Sequence, residues 1–192
     1  MLPKTNSLQF TVPEEGGYVV SQNATDESAE VQADIQSENQ NTLQLVSFQL
    51  ADEEYGVEIM KVQEIILMGE ITRVPQTPAY IKGLINLRST VIPVVDLRLR
   101  FGLNSQEATE NSRIMVVNVR GKTIGIVVDS VSEVLRVAES DVADPLPTVS
   151  GVEREYIPGL INLDSRLLVL LDIDKLLTME EANSLDELIP TI

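Results

Sequence analysis

Carboxylates are the only plentiful groups in this sequence that could do chemistry. The 192 residues hold 30 Asp and Glu against 14 Lys and Arg, a net charge of −16, with no His, no Cys and no Trp. Without His the chain lacks the usual general base, and without Cys it lacks thiol nucleophiles, disulfides and thiolate zinc ligands. Two acidic pairs stand in matching surroundings. Glu64 lies in Val-Gln-Glu-Ile and Glu133 in Val-Ser-Glu-Val, while Asp96 and Asp172 each close an apolar run. Two carboxylates facing one bond could divide acid and base roles. Alternatively, an Asp after a strand accepts backbone N–H groups and caps a turn, which is the more ordinary use of such a residue. No G-x-x-x-x-G-K-[S/T] or G-x-G-x-x-G run appears, and Asp172 and Asp174 lack the remaining ligands of a calcium loop. The expectation is no catalytic site, no metal and no cofactor. The acidity also argues against nucleic acid, which needs a basic footprint. No apolar run approaches the roughly 18 residues of a membrane span, so direct membrane insertion is not expected.

Composition divides the chain near residue 41. Residues 1–41 carry Lys4 against Glu14, Glu15, Asp26, Glu27, Glu30, Asp34 and Glu38, and are rich in Gln, Asn, Ser and Thr. They show no sustained period of 2 or 3.6. Such a segment cannot bury enough apolar surface to offset its ordering entropy, so it reads as a disordered acidic tail. Only Ser7-Leu8-Gln9-Phe10-Thr11-Val12 alternates like a short strand. The tail has no basic start followed by an apolar run, so no export signal is recognised and cytoplasm is the expected location.

From residue 42 the carboxylates are set among short β-branched and Leu-rich runs separated by polar turns. These run over residues 43–50, 55–59, 62–68, 81–87, 91–97, 113–119, 123–128, 131–137, 157–163 and 167–173. Ten short strands with tight connections predict an all-β barrel or sandwich. A helix is expected only past Lys175, where Leu185, Leu188 and Ile189 keep a three-and-four spacing before Pro190.

The strands are written twice. A shift of 69 lays Leu45-Val46-Ser47-Phe48 on Ile114-Met115-Val116-Val117, and Val62-Gln63-Glu64-Ile65 on Val131-Ser132-Glu133-Val134. A shift of 76 lays Tyr80-Ile81-Lys82-Gly83-Leu84-Ile85-Asn86-Leu87-Arg88-Ser89 on Tyr156-Ile157-Pro158-Gly159-Leu160-Ile161-Asn162-Leu163-Asp164-Ser165, with eight of ten positions identical. The difference is an insertion at residues 138–150, whose Pro145 and Pro147 mark a loop. Repeat units of about 43–103 and 112–178 are each small for an independent core, so each should bury itself against the other. Duplication then puts Glu64 and Glu133 in separate barrels, which weakens the acid/base reading. Gly56 and Gly125 recur at one mid-strand point, as at a bulge or corner, and Gly83 and Gly159 recur likewise. Repeated Tyr80 and Tyr156 suit packing. Where the copies differ, Arg88 has become Asp164 and Lys82 has become Pro158, so the segment Arg73…Lys82…Arg88…Arg98-Leu99-Arg100 concentrates positive charge in the first unit. Arg88 falls at a hairpin tip, where it can serve an interface, a structural pair with a carboxylate such as Glu64, or both.

Glu54-Tyr55-Gly56-Val57-Glu58-Ile59, Lys61-Val62-Gln63-Glu64-Ile65, Tyr80-Ile81-Lys82-Gly83-Leu84-Ile85-Asn86-Leu87-Arg88, Val91-Ile92-Pro93-Val94-Val95-Asp96-Leu97-Arg98 and Gly125-Ile126-Val127-Val128-Asp129-Ser130-Val131 together resemble the CheW family of chemotaxis coupling proteins, in colinear order over about residues 43–178. The resemblance departs at Ser89, where the family carries Gly. It implies a domain at 42–180 of two interleaved, five-stranded SH3-like β-barrel subdomains, followed by a C-terminal helix or tail at 181–192. It also implies a non-catalytic adaptor that joins chemoreceptor cytoplasmic tips to a CheA-type histidine kinase and is recruited to membrane-associated receptor arrays. By the same resemblance, receptor contact falls in the groove between subdomains, with Val62, Glu64, Ile65, Gly83, Asn86 and Arg88 as partner-binding candidates; Gly56, Gly125, Asp96 and Asp172 are structural. The kinase-facing residues stay unassigned. An adaptor of a related chemosensory array, controlling pili or a second messenger, is the alternative within binding proteins, and a carboxylate enzyme the alternative outside them.

Overall fold

A computed structural model describes residues 41–145 and 153–189. The tail reading for residues 1–40, most of the Pro145–Pro147 loop and the role given to Pro190 lie outside the described residues. In chain order the strands are β1 (Thr42–Leu50), β2 (Glu53–Glu58), β3 (Val62–Leu67), β4 (Ile81–Leu87), β5 (Thr90–Asp96), β6 (Arg113–Val119), β7 (Lys122–Val128), β8 (Ser130–Ala138), β9 (Val142–Ala143), β10 (Gly159–Leu163) and β11 (Arg166–Leu170). The helices are α1 (Leu97–Arg100), α2 (Glu153–Tyr156) and α3 (Met179–Glu187).

The strands form two barrel-like sheets, as the all-β expectation requires. One is five-stranded in the order β3-β6-β7-β5-β4, and the other six-stranded in the order β8-β1-β2-β11-β10-β9. Two details depart from the sequence reading. The two-residue β9 lies inside the expected insertion loop and raises the second sheet to six strands, because Val142 and Ala143 pair with Ile161 and Leu160. Two four-residue helical turns, α1 and α2, also appear where no helical period could show in so few residues.

Each sheet takes strands from both repeat units. In the five-stranded barrel β5 runs parallel to β7, with Val94 opposite Gly125. In the six-stranded barrel β11 runs parallel to β2, with Leu170 opposite Gly56. These two pairings are images of each other under the duplication, so the units exchange strands reciprocally.

Three apolar clusters follow from this exchange. Ile85, Ile92, Val94, Ile114 and Val116 fill one barrel. Leu45, Val137, Ile161, Leu168 and Leu170 fill the other. The largest cluster lies between the barrels and includes Val46, Phe48, Leu50, Met115, Val117 and Val119. β1 and β6 therefore have two buried faces, one turned into a barrel and one toward the seam. That explains their nearly continuous apolar runs. Phe48, Tyr55, Phe101 and Tyr156 stack in series along the seam, with centroids 5.8, 5.7 and 5.8 Å apart. α3 closes one side of the seam by burying Ala182 and Leu185. Its start is a capping box: the Thr178 N–H donates to Glu181 Oε2 at 2.8 Å, and the Glu181 N–H to Thr178 Oγ1 at 3.1 Å.

Candidate functional site

Glu64 owes its direction to a backbone irregularity. Between Val62 and Glu64, β3 carries one residue more than its partner β6, a β-bulge that re-aims the following side chains. The β4–β5 connection is a two-residue turn in which Arg88 has φ 51° and Ser89 φ 68°. Positive φ at both central residues is the type I′ geometry that matches strand twist. Ser89 thus takes the left-handed conformation that Gly accepts more readily. Together the bulge and the turn bring Arg88 Nη2 to 2.9 Å from Glu64 Oε2. Arg88 remains 80% exposed and Glu64 27%, so the pair is formed and still faces solvent. Ile65 and Leu67 share the outer face of β3 and are exposed, and Met60, in the 3-10 turn Ile59–Lys61 just before it, is 86% exposed.

The other candidates fall into different places. Val62 packs against the seam cluster. Asn86 is exposed on β4, two residues before Arg88 in the turn. Gly83 is buried at a second bulge with φ 146°, and a β-carbon there would stand 2.2 Å from the Thr72 carbonyl oxygen. Gly83 is accordingly a place of close backbone approach and offers a partner no surface. Its repeat mate Gly159 is pressed in the same way by Val142 and the Ala143 carbonyl.

Gly56 and Gly125, expected at a bulge, a corner or a close approach, are not at bulges. Both lie in unbroken register and face into a barrel, where a β-carbon would meet Leu168 Cδ2 at 2.9 Å or Ile114 Cγ2 at 2.8 Å. The barrel interiors are narrow enough that side chains from the opposite wall already fill these points.

Asp96 and Asp172 act as caps. Asp96 is buried, accepts from the Leu99 N–H at 3.3 Å and pairs with Lys82 at 3.0 Å. Asp172 accepts from the Asp174 N–H at 3.1 Å and pairs with Lys175 at 3.4 Å. Glu64 and Glu133 stand in different sheets. Glu133 lies within a bulge of β8, its N–H donates to Ser47 Oγ, and its carboxylate pairs with Arg166. The second copy thus retains the Glu64–Arg88 type of pair, with its cation two positions after the residue equivalent to Arg88. Arg166 also reaches Glu54 at 3.3 Å. These carboxylates do not converge on one cavity, and each is committed to a named cation or backbone N–H.

Several polar contacts had no sequence expectation. Arg98 holds Asp129 through two bonds of 2.9 and 2.6 Å, Lys61 holds Asp174 at 2.5 Å, and Arg100 holds Glu181 at 2.8 and 3.0 Å while its guanidinium lies 4.7 Å from the Tyr80 ring centre. Burial alone would raise the Asp129 carboxyl, but hydrogen bonds from Arg98 and the Ala51 N–H hold it below the usual Asp range. Asp174 is likewise lowered, against its burial, by Lys61 and the Arg120 N–H. Burial and the bond to Glu181 push the Tyr80 phenol up to about 12. Sequence could have signalled one of these: the shift of 76 aligns Arg98 with Asp174, an inversion of charge inside a repeat.

Comparison with known proteins agrees on one family. The CheW-like domain profile matches residues 44–181. A chemotaxis protein CheW from Klebsiella aerogenes is 40% identical over 139 residues, covering 72% of this chain and 84% of that protein. One from Treponema pallidum is 37% identical over 156 residues, covering 78% and 91%. The crystal structure of the scaffolding protein TtCheW from Thermoanaerobacter tengcongensis superposes with a TM-score of 0.65 at 35% identity, covering 70% of this chain and 91% of that one.

Proposed function

The chain belongs to the CheW-like family, and on that premise we propose that it is a non-catalytic adaptor coupling chemoreceptor cytoplasmic tips to a CheA-type histidine kinase. It works on the cytoplasmic side, recruited to receptor arrays by its partners. Among the described residues no helix is long and apolar enough to cross a membrane.

The observation that carries this reading is the outer face of β3. Ile65 and Leu67 leave apolar surface in solvent on the strand that also carries Glu64, the partner of exposed Arg88, and Met60 adds more at the entry to the strand. Exposed apolar anchors and an exposed Arg are residue types that protein-binding surfaces favour. A receptor's helical hairpin, apolar along one stripe and charged beside it, fits such a face. The non-catalytic part of the reading is supported by the dispersal of Glu64, Glu133, Asp96 and Asp172 into separate pairs and caps.

The test is a titration of the full chain with a receptor cytoplasmic fragment and, separately, with a CheA-type kinase. Both are expected to bind. Leu67→Asp is expected to lose the receptor fragment and keep the kinase. Failure to bind either partner, or wild-type receptor binding by Leu67→Asp, would overturn the proposal.

A further inference from the structure

Two ion-pair clamps tie the barrels together, and the duplication relates one member of each, Arg98 and Asp174, with its charge reversed. In the first, Arg98 of α1 follows the five-stranded barrel's β5 and holds Asp129, which lies in the crossover from β7 to β8. Asp129 also accepts from the N–H of Ala51, in the β1–β2 turn of the other barrel, at 2.7 Å. In the second, Asp174 follows the six-stranded barrel's β11 and is held by Lys61, in the crossover from β2 to β3. Asp174 also accepts from the N–H of Arg120, in the β6–β7 turn, at 2.9 Å. Arg98 and Asp174 are repeat mates, and so are Ala51 and Arg120, both of which have positive φ. The turn and its backbone donor are kept, whereas Asp129 and Lys61 stand one position out of register, since the shift of 69 lays Met60 on Asp129 and Lys61 on Ser130.

The clamps differ in grip. The Arg98–Asp129 pair has a planar fork making two bonds, with side chains 15% and 31% exposed. The Lys61–Asp174 pair has one ammonium contact, with side chains 36% and 34% exposed. A lysine on a flexible stem holds a carboxylate less rigidly than an arginine fork does. Lys61 also immediately precedes β3, and beside it Glu58, Leu171, Asp172 and Asp174 line a cavity of about 450 Å³. A partner seated on Met60, Ile65 and Leu67 bears on the segment that carries Lys61.

We infer that the Lys61–Asp174 clamp is a releasable latch and the Arg98–Asp129 clamp its fixed counterpart, so that docking at β3 changes the angle between the barrels. The inference rests on the proposed docking at β3 for its trigger, but the latch itself can be tested without a partner. By linkage, a docking event that releases the latch must be strengthened when the latch is already broken.

The absence of cysteine allows spin labels to be placed at will. Exposed Gln44 on β1 and Asn111 just ahead of β6 report on the two barrels once each is changed to Cys and labelled. Pulsed electron–electron distance measurement on the labelled full chain is expected to give one narrow distribution. Lys61→Gln should broaden it, Lys61→Arg should keep it narrow, and the exchange Lys61→Asp with Asp174→Lys should restore it. Arg98→Gln should lower the melting temperature more than Lys61→Gln does. Titrated with receptor fragment, Lys61→Gln should bind roughly fivefold more tightly, the low end of ordinary coupling between sites. An unchanged distribution in Lys61→Gln with a normal melt would overturn the latch even if receptor and kinase both bind. Equal thermal losses from Lys61→Gln and Arg98→Gln would overturn the division into releasable and fixed. A broadened distribution with no receptor binding would keep the latch and remove its trigger along with the proposed function.

Discussion

Ile114 occupies the space that a side chain on Gly125 would need: its Cγ2 stands 2.8 Å from the position of a β-carbon there. At the equivalent point of the other barrel, Leu168 Cδ2 stands 2.9 Å from a β-carbon on Gly56. Gly125→Val and Gly56→Val are therefore expected to destabilise by about 1–3 kcal/mol each through overpacking. Gly125→Val should cost more, because β-branched Ile114 has fewer rotamers to yield with than Leu168. Denaturant midpoints at constant slope check both values, and wild-type midpoints would refute the packing account.

Arg88→Glu should leave the fold nearly untouched. The Glu64 pair is made by an 80% exposed arginine, and exposed pairs are worth ~0–1 kcal/mol. Under the proposed function the same change should weaken receptor binding by about tenfold or more, since an interface arginine can carry ~1.4 kcal/mol or above. Thermal melting and receptor titration on one sample separate the two effects. A large fall in melting temperature would make Arg88 a structural residue instead.

Acid should loosen both clamps. The Asp129, Asp174 and Glu181 carboxyls all have folded-state pKa values held below their ordinary ones. A lowered pKa adds stability that is fully present above the unfolded value, about 4 for these groups, and is lost as pH falls through the folded value. Melting temperature should be flat near neutrality and drop below about pH 4. Asp174→Asn should melt lower at neutral pH and show a shallower acid drop. An identical acid profile in Asp174→Asn would exclude that residue from the effect.

The Arg100–Glu181 pair fastens α3 to the barrels. Glu181→Gln removes the charge on the helix's capping box and on the partner of Arg100 and Tyr80. It should raise amide exchange in α3 well above that of the strands, at a cost of about 1–3 kcal/mol for a charged hydrogen-bonded group. In the wild type, ultraviolet titration should find Tyr80 ionising near 12, and in Glu181→Gln that value should fall. An unchanged phenol titration would mean that burial alone sets it.

Much of this was legible in the chain. Alternation and apolar runs marked the strands to within a few residues, because the period of 2 is a local property. The duplication was explicit in eight identities out of ten around Tyr80 and Tyr156. It also pointed to residues that serve structure, among them the close approaches at Gly83 and Gly125 and the caps Asp96 and Asp172. A two-residue strand such as β9 has no period to detect, and it forms only because Ile161 and Leu160 are brought alongside it.

Which strand pairs with which was decided by tertiary structure. Two copies of one pattern carry no label saying whether β5 should lie beside β2 or β7, and the answer came from how both cores close at once. The ion pairs belong to the same class. Lys61 and Asp174 are 113 residues apart, Arg100 and Glu181 81 apart, and long flexible side chains leave no periodic trace of the partner they will find. Local sequence sets the conformations a segment prefers, whereas contacts between distant segments exist only once the barrels have fixed them in space.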